Sequence, residues 1–284
     1  MSISEALDCC ALVSIHEEMN PSKRRSMEDA LRVVDGFAGN ARHGFFGLYD
    51  GHGGREISAY LQENLHVTLE NELAHVDNAG RTDVATCISR AFIVADMDCC
   101  ELPAAENAGS TAAIALLRDE DNHRVLYAAN VGDSRIVLCR NGTAERLTQD
   151  HKAELHSEAV RVCDSGGFVI HNRVSGVLAV SRSYSIYAMQ RRCLSCTCTR
   201  SFGDSALKKW VIAHPYTSKS ILDASCSFFI LACDGVWDEL EDQAAVDLIL
   251  ALSESDRAQA AEVLVGAALE EGSCDNISAI VVFL

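Results

Sequence analysis

"HGFFGLYDGHGG", residues 43–54, joins a short aromatic-rich apolar run to an acid and then to a glycine-rich turn. The run is too short for a helix and is bounded by glycine, so it reads as a buried strand ending at Asp50. The same grammar recurs along the chain. "SFFILACD" (227–234) ends in Asp234, Asp275 stands just before "NISAIVVFL", and Glu28-Asp29 open the strand "ALRVVD". Further strands are expected at "TAAIALLR" (111–118), "RVLYAANVG" (124–132) and "RIVLCR" (135–140). Asn141-Gly142 is a hairpin signal with Thr143 to Leu147 returning, and "VGDS" makes a second tight turn.

Helical patterns lie between the strands. Ile57, Leu61, Leu65, Leu69, Leu73 and Val76 recur at helical spacing, as do Val84, Ile88, Phe92, Ala95 and Cys99. Two more helices are expected over 242–252 and 256–270, with Asp242 and Ser255 as N-caps. Clustered strands with helices inserted in pairs do not alternate as βαβ units. They imply an α+β protein in which antiparallel sheets pack on each other with helices outside.

The 284 residues carry a formal charge of -17, which argues against a nucleic-acid binder. No secretory signal is expected from "MSISEALDCCALVSIHEEMN", Ser2 argues against N-myristoylation, and no run reaches the ~20 apolar residues of a membrane span. A cytoplasmic or nuclear monomer with no membrane partner is expected. Thirteen cysteines in a chain without an export signal should remain thiols. Cys87, Cys139 and Cys233 sit singly in apolar runs and read as small core residues.

Acids at strand ends are held rigidly and can be aimed at one point. Several converging carboxylates would suit Mg²⁺ or Mn²⁺, which favour oxygen donors. In "DGHGG" the Gly51 carbonyl could join the Asp50 carboxylate, and His52 beside them is a candidate general acid because its ordinary pKa lies near neutrality. Arg24, four residues before Glu28, offers a planar fork of donors for a phosphate.

"RRSMED" (24–29), "DGHGG" (50–54), "GST" (109–111), "VGDSR" (131–135), "LTQDHK" (147–152), "LAVSR" (178–182), "SFGD" (201–204), "LACDGVWD" (231–238) and "GSCDNIS" (272–278) together resemble the ordered motif set of the metal-dependent protein phosphatases, the type 2C serine/threonine phosphatases. The resemblance runs from about residue 20 to the C-terminus. It implies a four-layer α-β-β-α sandwich of two antiparallel sheets flanked by helix pairs. It also implies one catalytic domain over 1–284, with a flap subdomain at about 151–213. Two Mn²⁺ or Mg²⁺ ions and a weaker third are implied at one end. Asp50 matches the bridging carboxylate, Asp234 and Asp275 match ligands of the first ion, and Glu28 and the Gly51 carbonyl match ligands of the second. Asp29 matches an acid that hydrogen-bonds metal-bound water, and Asp150 matches an acid of the third metal. Arg24 matches the phosphate-binding arginine and His52 the general acid. The implied reaction is in-line attack of a metal-activated hydroxide on protein phosphoserine or phosphothreonine.

Two other functions compete. One is a pseudophosphatase using the same fold as a regulatory binding module, and the other is a metal-dependent nuclease, which the acidic charge and the motif order oppose. No cysteine begins a C-x5-R sequence, which counts against a tyrosine phosphatase.

One motif is split. Removing 183–200 restores "LAVSRSFGD" and removing 181–198 restores "LAVTRSFGD", each an excision of 18 residues. The intervening stretch, about 181–200, is basic and cysteine-dense. It reads as a flap insertion, as translated intron, or as a zinc site at Cys193, Cys196 and Cys198, with His171 or another Cys as fourth ligand. A genuine insertion of this polarity should form a mobile surface loop. Either Arg182 or Arg200 then fills the flap-arginine position.

Overall fold

A computed structural model describes residues 2–75, 83–170, 173–175, 195–196 and 198–284. One sheet has six strands in the order β1 (Ser2–Glu5), β2 (Leu12–Glu18), β17 (Ile277–Phe283), β16 (Cys226–Ala232), β9 (Arg135–Arg140), β10 (Thr143–Arg146). The other has five, in the order β15 (Tyr216–Leu222), β8 (His123–Val131), β7 (Ala112–Glu120), β4 (Gly44–Tyr49), β3 (Ala30–Asp35). Neighbouring strands in both sheets are antiparallel.

The opening stretch shows how the layers are built. In β4, Phe46 and Leu48 face the six-stranded sheet, where Phe46 meets Phe229 edge-on with centroids 5.5 Å apart. Phe45 and Tyr49, on the opposite face, pack with Ile57, Leu61, Leu65 and Phe92 of helices α1 (Glu56–Ala74) and α2 (Val84–Cys100). A strand covered on both faces has no polar alternation, which explains the continuous apolar run. Truncating Phe46 to Ala would open a cavity costing ~3–5 kcal/mol. Beyond the six-stranded sheet, Phe228, Ile230 and Val281 pack against Val246, Ile249, Leu264 and Val265 of α4 (Asp242–Leu250) and α5 (Ala260–Glu271), with α3 described below. The order is helix pair, sheet, sheet, helix pair, as the resemblance implies. No helix among the described residues is long and apolar enough to cross a membrane.

The hairpin at Asn141-Gly142 forms as expected, with both residues at positive φ (51° and 76°). Both expected caps differ. Ser255 lies in a 3₁₀ turn, Glu254–Gln259, and α5 begins after it. Its start is held by Ser14 of β2, whose hydroxyl accepts from the Ala261 amide (3.1 Å) and donates to the Ala258 carbonyl (2.9 Å). Asp242 is the first residue of α4, and its carboxylate is drawn to Arg135 (2.5 Å) and Arg146 (2.7 Å) instead. Strands β1, β2 and β15 escape the sequence pattern. β1 and β15 are edge strands, and none of the three shows a clean apolar face.

Two small sheets complete the fold. β5 (Gly51–His52), β6 (Gly109–Ser110) and β14 (Phe202–Gly203) pair in the order β14-β6-β5, and β11 (Phe168–Ile170), β12 (Arg173–Ser175) and β13 (Ser195–Cys196) form the other. Beside the latter, Val162 of α3 (His156–Asp164) clusters with Val174, Cys198, Leu207, Trp210 and Val211. The expected surface loop over 181–200 lies mostly outside the described residues. At its end, Cys198 and Thr199 are buried, so the surface expectation fails there. Cys193 and His171 of the zinc reading lie outside the described residues as well.

Candidate active site

Strand ends bring the acids together. One oxygen each of Asp50 and Asp234 and the Cys233 sulfur lie within 4.8 Å of one another, the described residues' one cluster able to hold a metal. Asp50 follows β4, and its carbonyl is pinned by the Thr111 amide (2.9 Å) and the Ser110 hydroxyl (3.1 Å) of the "GST" motif. Asp234 follows β16 and opens a single helical turn, Asp234–Trp237. Burial, then the neighbouring charges of Asp234, Asp29, Asp133 and Asp275, pushes the Asp50 carboxyl well above the carboxylate range. Burial and the charges of Asp133, Asp275, Asp238 and Asp29 do the same to Asp234. Carboxylates crowded without a countercharge resist ionisation, and a divalent cation relieves that cost.

Asp29 adds a second sign. It is fully buried, and Ser278 donates to its Oδ2 at 2.7 Å, but Oδ1 has no protein partner. Burial pushes this carboxyl up to about 7, with Asp275 adding to the rise and Ser278 and Cys233 opposing it. A buried oxygen left open beside other acids fits a donor set awaiting a hydrated cation.

The remaining expected residues border this cluster. Arg24 pairs with Asp275 and donates to the Cys274 carbonyl (3.3 Å). Glu28 accepts from Ser26 (2.9 Å) and from the Gly54 amide (3.2 Å). Gly51 must be glycine, because a Cβ would sit 2.4 Å from the Glu28 carbonyl oxygen. His52 donates from Nε2 to Asp204 at 2.9 Å. Burial pushes the Asp204 carboxyl up, but His52 and the Ser201 hydroxyl outweigh it and hold the carboxyl below its usual range.

Asp150 stands apart. Arg135 takes both its oxygens, at 3.1 and 2.5 Å. Asp133, 4% exposed, is the acid that adjoins the cluster, and sequence reasoning gave it no role. It obeys the rule that singled out Asp50, following an apolar strand beside a glycine, so the signal was available. Burial raises its carboxyl, while Cys198 (Sγ donating at 3.1 Å) and Lys152 (3.9 Å) pull it back. Lys152 also joins Asp238, at 2.6 Å. Asp238, Cys233 and Asp204 were likewise missed as parts of the site. Cys233 is buried as expected, but its thiol faces acids, and burial with the charges of Asp29, Asp50 and Asp234 raises its pKa.

Glu158 of α3 anchors the chain that follows the split motif. It accepts from Arg200 (2.5 Å), Arg161 (2.9 Å) and the Thr199 hydroxyl (2.7 Å). Arg200 also donates to the His214 carbonyl (2.7 Å). Of the two near-repeats, Thr199-Arg200 is thus built into the fold, whereas Ser181-Arg182 lies outside the described residues.

The profile of the protein phosphatase 2C family matches residues 14–277. The chain is 41% identical over 276 residues to protein phosphatase 2C homolog 1 of Schizosaccharomyces pombe, spanning 96% of this chain and 73% of that one. It is 37% identical over 285 residues to protein phosphatase 2C homolog 1 of Saccharomyces cerevisiae, spanning 96% and 93%. Its fold superposes on the serine-threonine phosphatase 2C of Toxoplasma gondii with a TM-score of 0.81 and 23% identity, over 100% of this chain and 99% of that one. With this sequence similarity across nearly its whole length, the chain belongs to the protein phosphatase 2C family and is a protein serine/threonine phosphatase.

Proposed function

We propose that the enzyme hydrolyses phosphoserine and phosphothreonine in proteins at a dinuclear Mn²⁺ or Mg²⁺ centre. The convergence of Asp29, Asp50, Asp234 and Asp275, whose like charges add to burial in raising the Asp50 and Asp234 carboxyls, carries this reading. Asp50, Asp234, Asp275, Glu28 and the Gly51 carbonyl would hold the ions. When bound, the ions supply Lewis-acid charge neutralisation and a nucleophile at neutral pH. Asp29 Oδ1 would accept from that nucleophile and orient it. Arg24, 47% exposed and paired only at the cluster's rim, would exchange Asp275 for the phosphoryl oxygens. His52 would protonate the departing Ser or Thr oxygen. For a weaker third ion, Asp133 is the better donor, because Arg135 holds both oxygens of Asp150, whereas Lys152 stands 3.9 Å from Asp133.

Residues 151–213 would act as a flap on their own small core, with Arg200 as the flap arginine, supported by its bonds to Glu158. The enzyme would work as a monomer. Phosphate release from a phosphothreonine peptide with Mn²⁺ tests the reading, with EDTA and Asp50→Ala as controls. Turnover that survives either control would sink it. Hydrolysis of single-stranded DNA would redirect it to a nuclease.

A further inference from the structure

His52 and Asp204 are built as a pair, across three strands. β5, β6 and β14 place His52 opposite Gly109 and Gly109 opposite Gly203, the residue before Asp204. The Asp204 amide donates to the Ala108 carbonyl (2.9 Å), which locks the "SFGD" turn onto the "GST" strand. Asp204 itself adopts the left-handed region, φ 48° and ψ 43°, an uncommon conformation for a residue with a side chain. That conformation carries its carboxylate over β6 to the imidazole. Gly109 leaves the space, because a Cβ there would lie 2.3 Å from Asp204 Oδ2 and 2.6 Å from His52 Nε2. The side chain of Asp204 is 10% exposed and that of His52 38%, so the anchor is buried and the ring reaches solvent.

We propose that Asp204 is the positioning residue of His52, fixing the imidazole through Nε2 so that Nδ1 is the atom that passes a proton to the substrate. This rests on the reading of His52 as proton donor. A carboxylate only accepts, so Nε2 must carry hydrogen, and the tautomer and ring plane are set together. In the step served, the P–O bond to the Ser or Thr oxygen breaks and its electron pair stays on that oxygen. The Nδ1–H bond breaks as the new O–H bond forms, and the nitrogen keeps its pair. The Nε2 hydrogen bond to Asp204 is kept throughout. Ser201 donates to the same Oδ2 and helps to steady the carboxylate.

The test is leaving-group dependence, compared between a phosphothreonine peptide, whose alkoxide needs the proton, and p-nitrophenyl phosphate, whose phenolate does not. Asp204→Asn keeps the shape and suits the left-handed backbone. In the full chain with Mn²⁺, it should lower kcat on the peptide by ~10²-fold while leaving the aryl ester within a few-fold, the pattern expected of His52→Gln. The double variant should lose no more than His52→Gln alone, because the two act as a unit. Gly109→Ala, which wedges the pair apart while leaving both residues in the chain, should show the same split. Equal losses on both substrates, or additive losses in the double variant, would mean Asp204 merely supports the turn and would overturn the proposal. A split in His52→Gln without one in Asp204→Asn would overturn it alone. No split in His52→Gln would overturn the proton-donor reading and this proposal with it.

Discussion

Asp29 and Glu158 are buried to the same degree, 1% and 2% exposed, and titrate in opposite directions. Asp29 is pushed up to about 7, whereas Glu158 is held down to about 2. Burial raises both. At Glu158, hydrogen bonds from Arg200, Arg161 and Thr199 overwhelm it. At Asp29, only the Ser278 hydroxyl and the Cys233 thiol oppose burial, and Asp275 and Glu17 add like charge. Burial alone therefore does not separate a structural carboxylate from one held for chemistry. The countercharge decides: two arginines hydrogen-bond Glu158, whereas the charges acting on Asp29 are those of other acids.

Four experiments test that contrast. The largest effect is expected from Asp234→Asn, which should lower metal-dependent turnover by ~10³-fold or more. Without metal, urea unfolding should show equal or higher stability, because a repelling charge is gone. A clear loss of metal-free stability would show that the cluster is already compensated. Glu158→Gln should do the reverse, costing about 3 kcal/mol from its shift while kcat stays within a few-fold. A depressed carboxyl contributes fully above its unfolded pKa near 4.5 and loses that contribution as pH falls toward about 2. The wild type and Glu158→Gln should thus converge in stability across that window, measured by acid titration of the unfolding midpoint.

Asp133→Asn should weaken activity ~10- to 100-fold, most at low metal concentration, if it supports ions already held by Asp50 and Asp234. Asp150→Asn should be mildest on activity, within about threefold, because Arg135 retains Asp242 as a partner. Steady-state kinetics over a Mn²⁺ titration ranks the two, and equal effects would return Asp150 to the metal site.

Most strands and both outer helix pairs were legible because their signals are local. Ile57, Leu61, Leu65 and Leu69 repeat at helical spacing and are all buried. Asp50 and Asp234 stand where apolar runs meet glycine. β15 was missed because an edge strand pairs on one side only, and its "YTSKSIL" sequence lacks a continuous apolar face. Asp150 attracted attention as an acid within a motif, but nothing local shows that Arg135 turns toward it.

The layers, the family and the strand-end acids could be read from the chain alone, since apolar period and glycine punctuation act over a few residues. The partners emerge only when the chain is folded. Ser14 holds a helix start 247 residues away, His52 meets Asp204 across 152, and Cys198 reaches Asp133 across 65. Sheet order and register set such contacts, and they carry no mark in the local spacing of either partner.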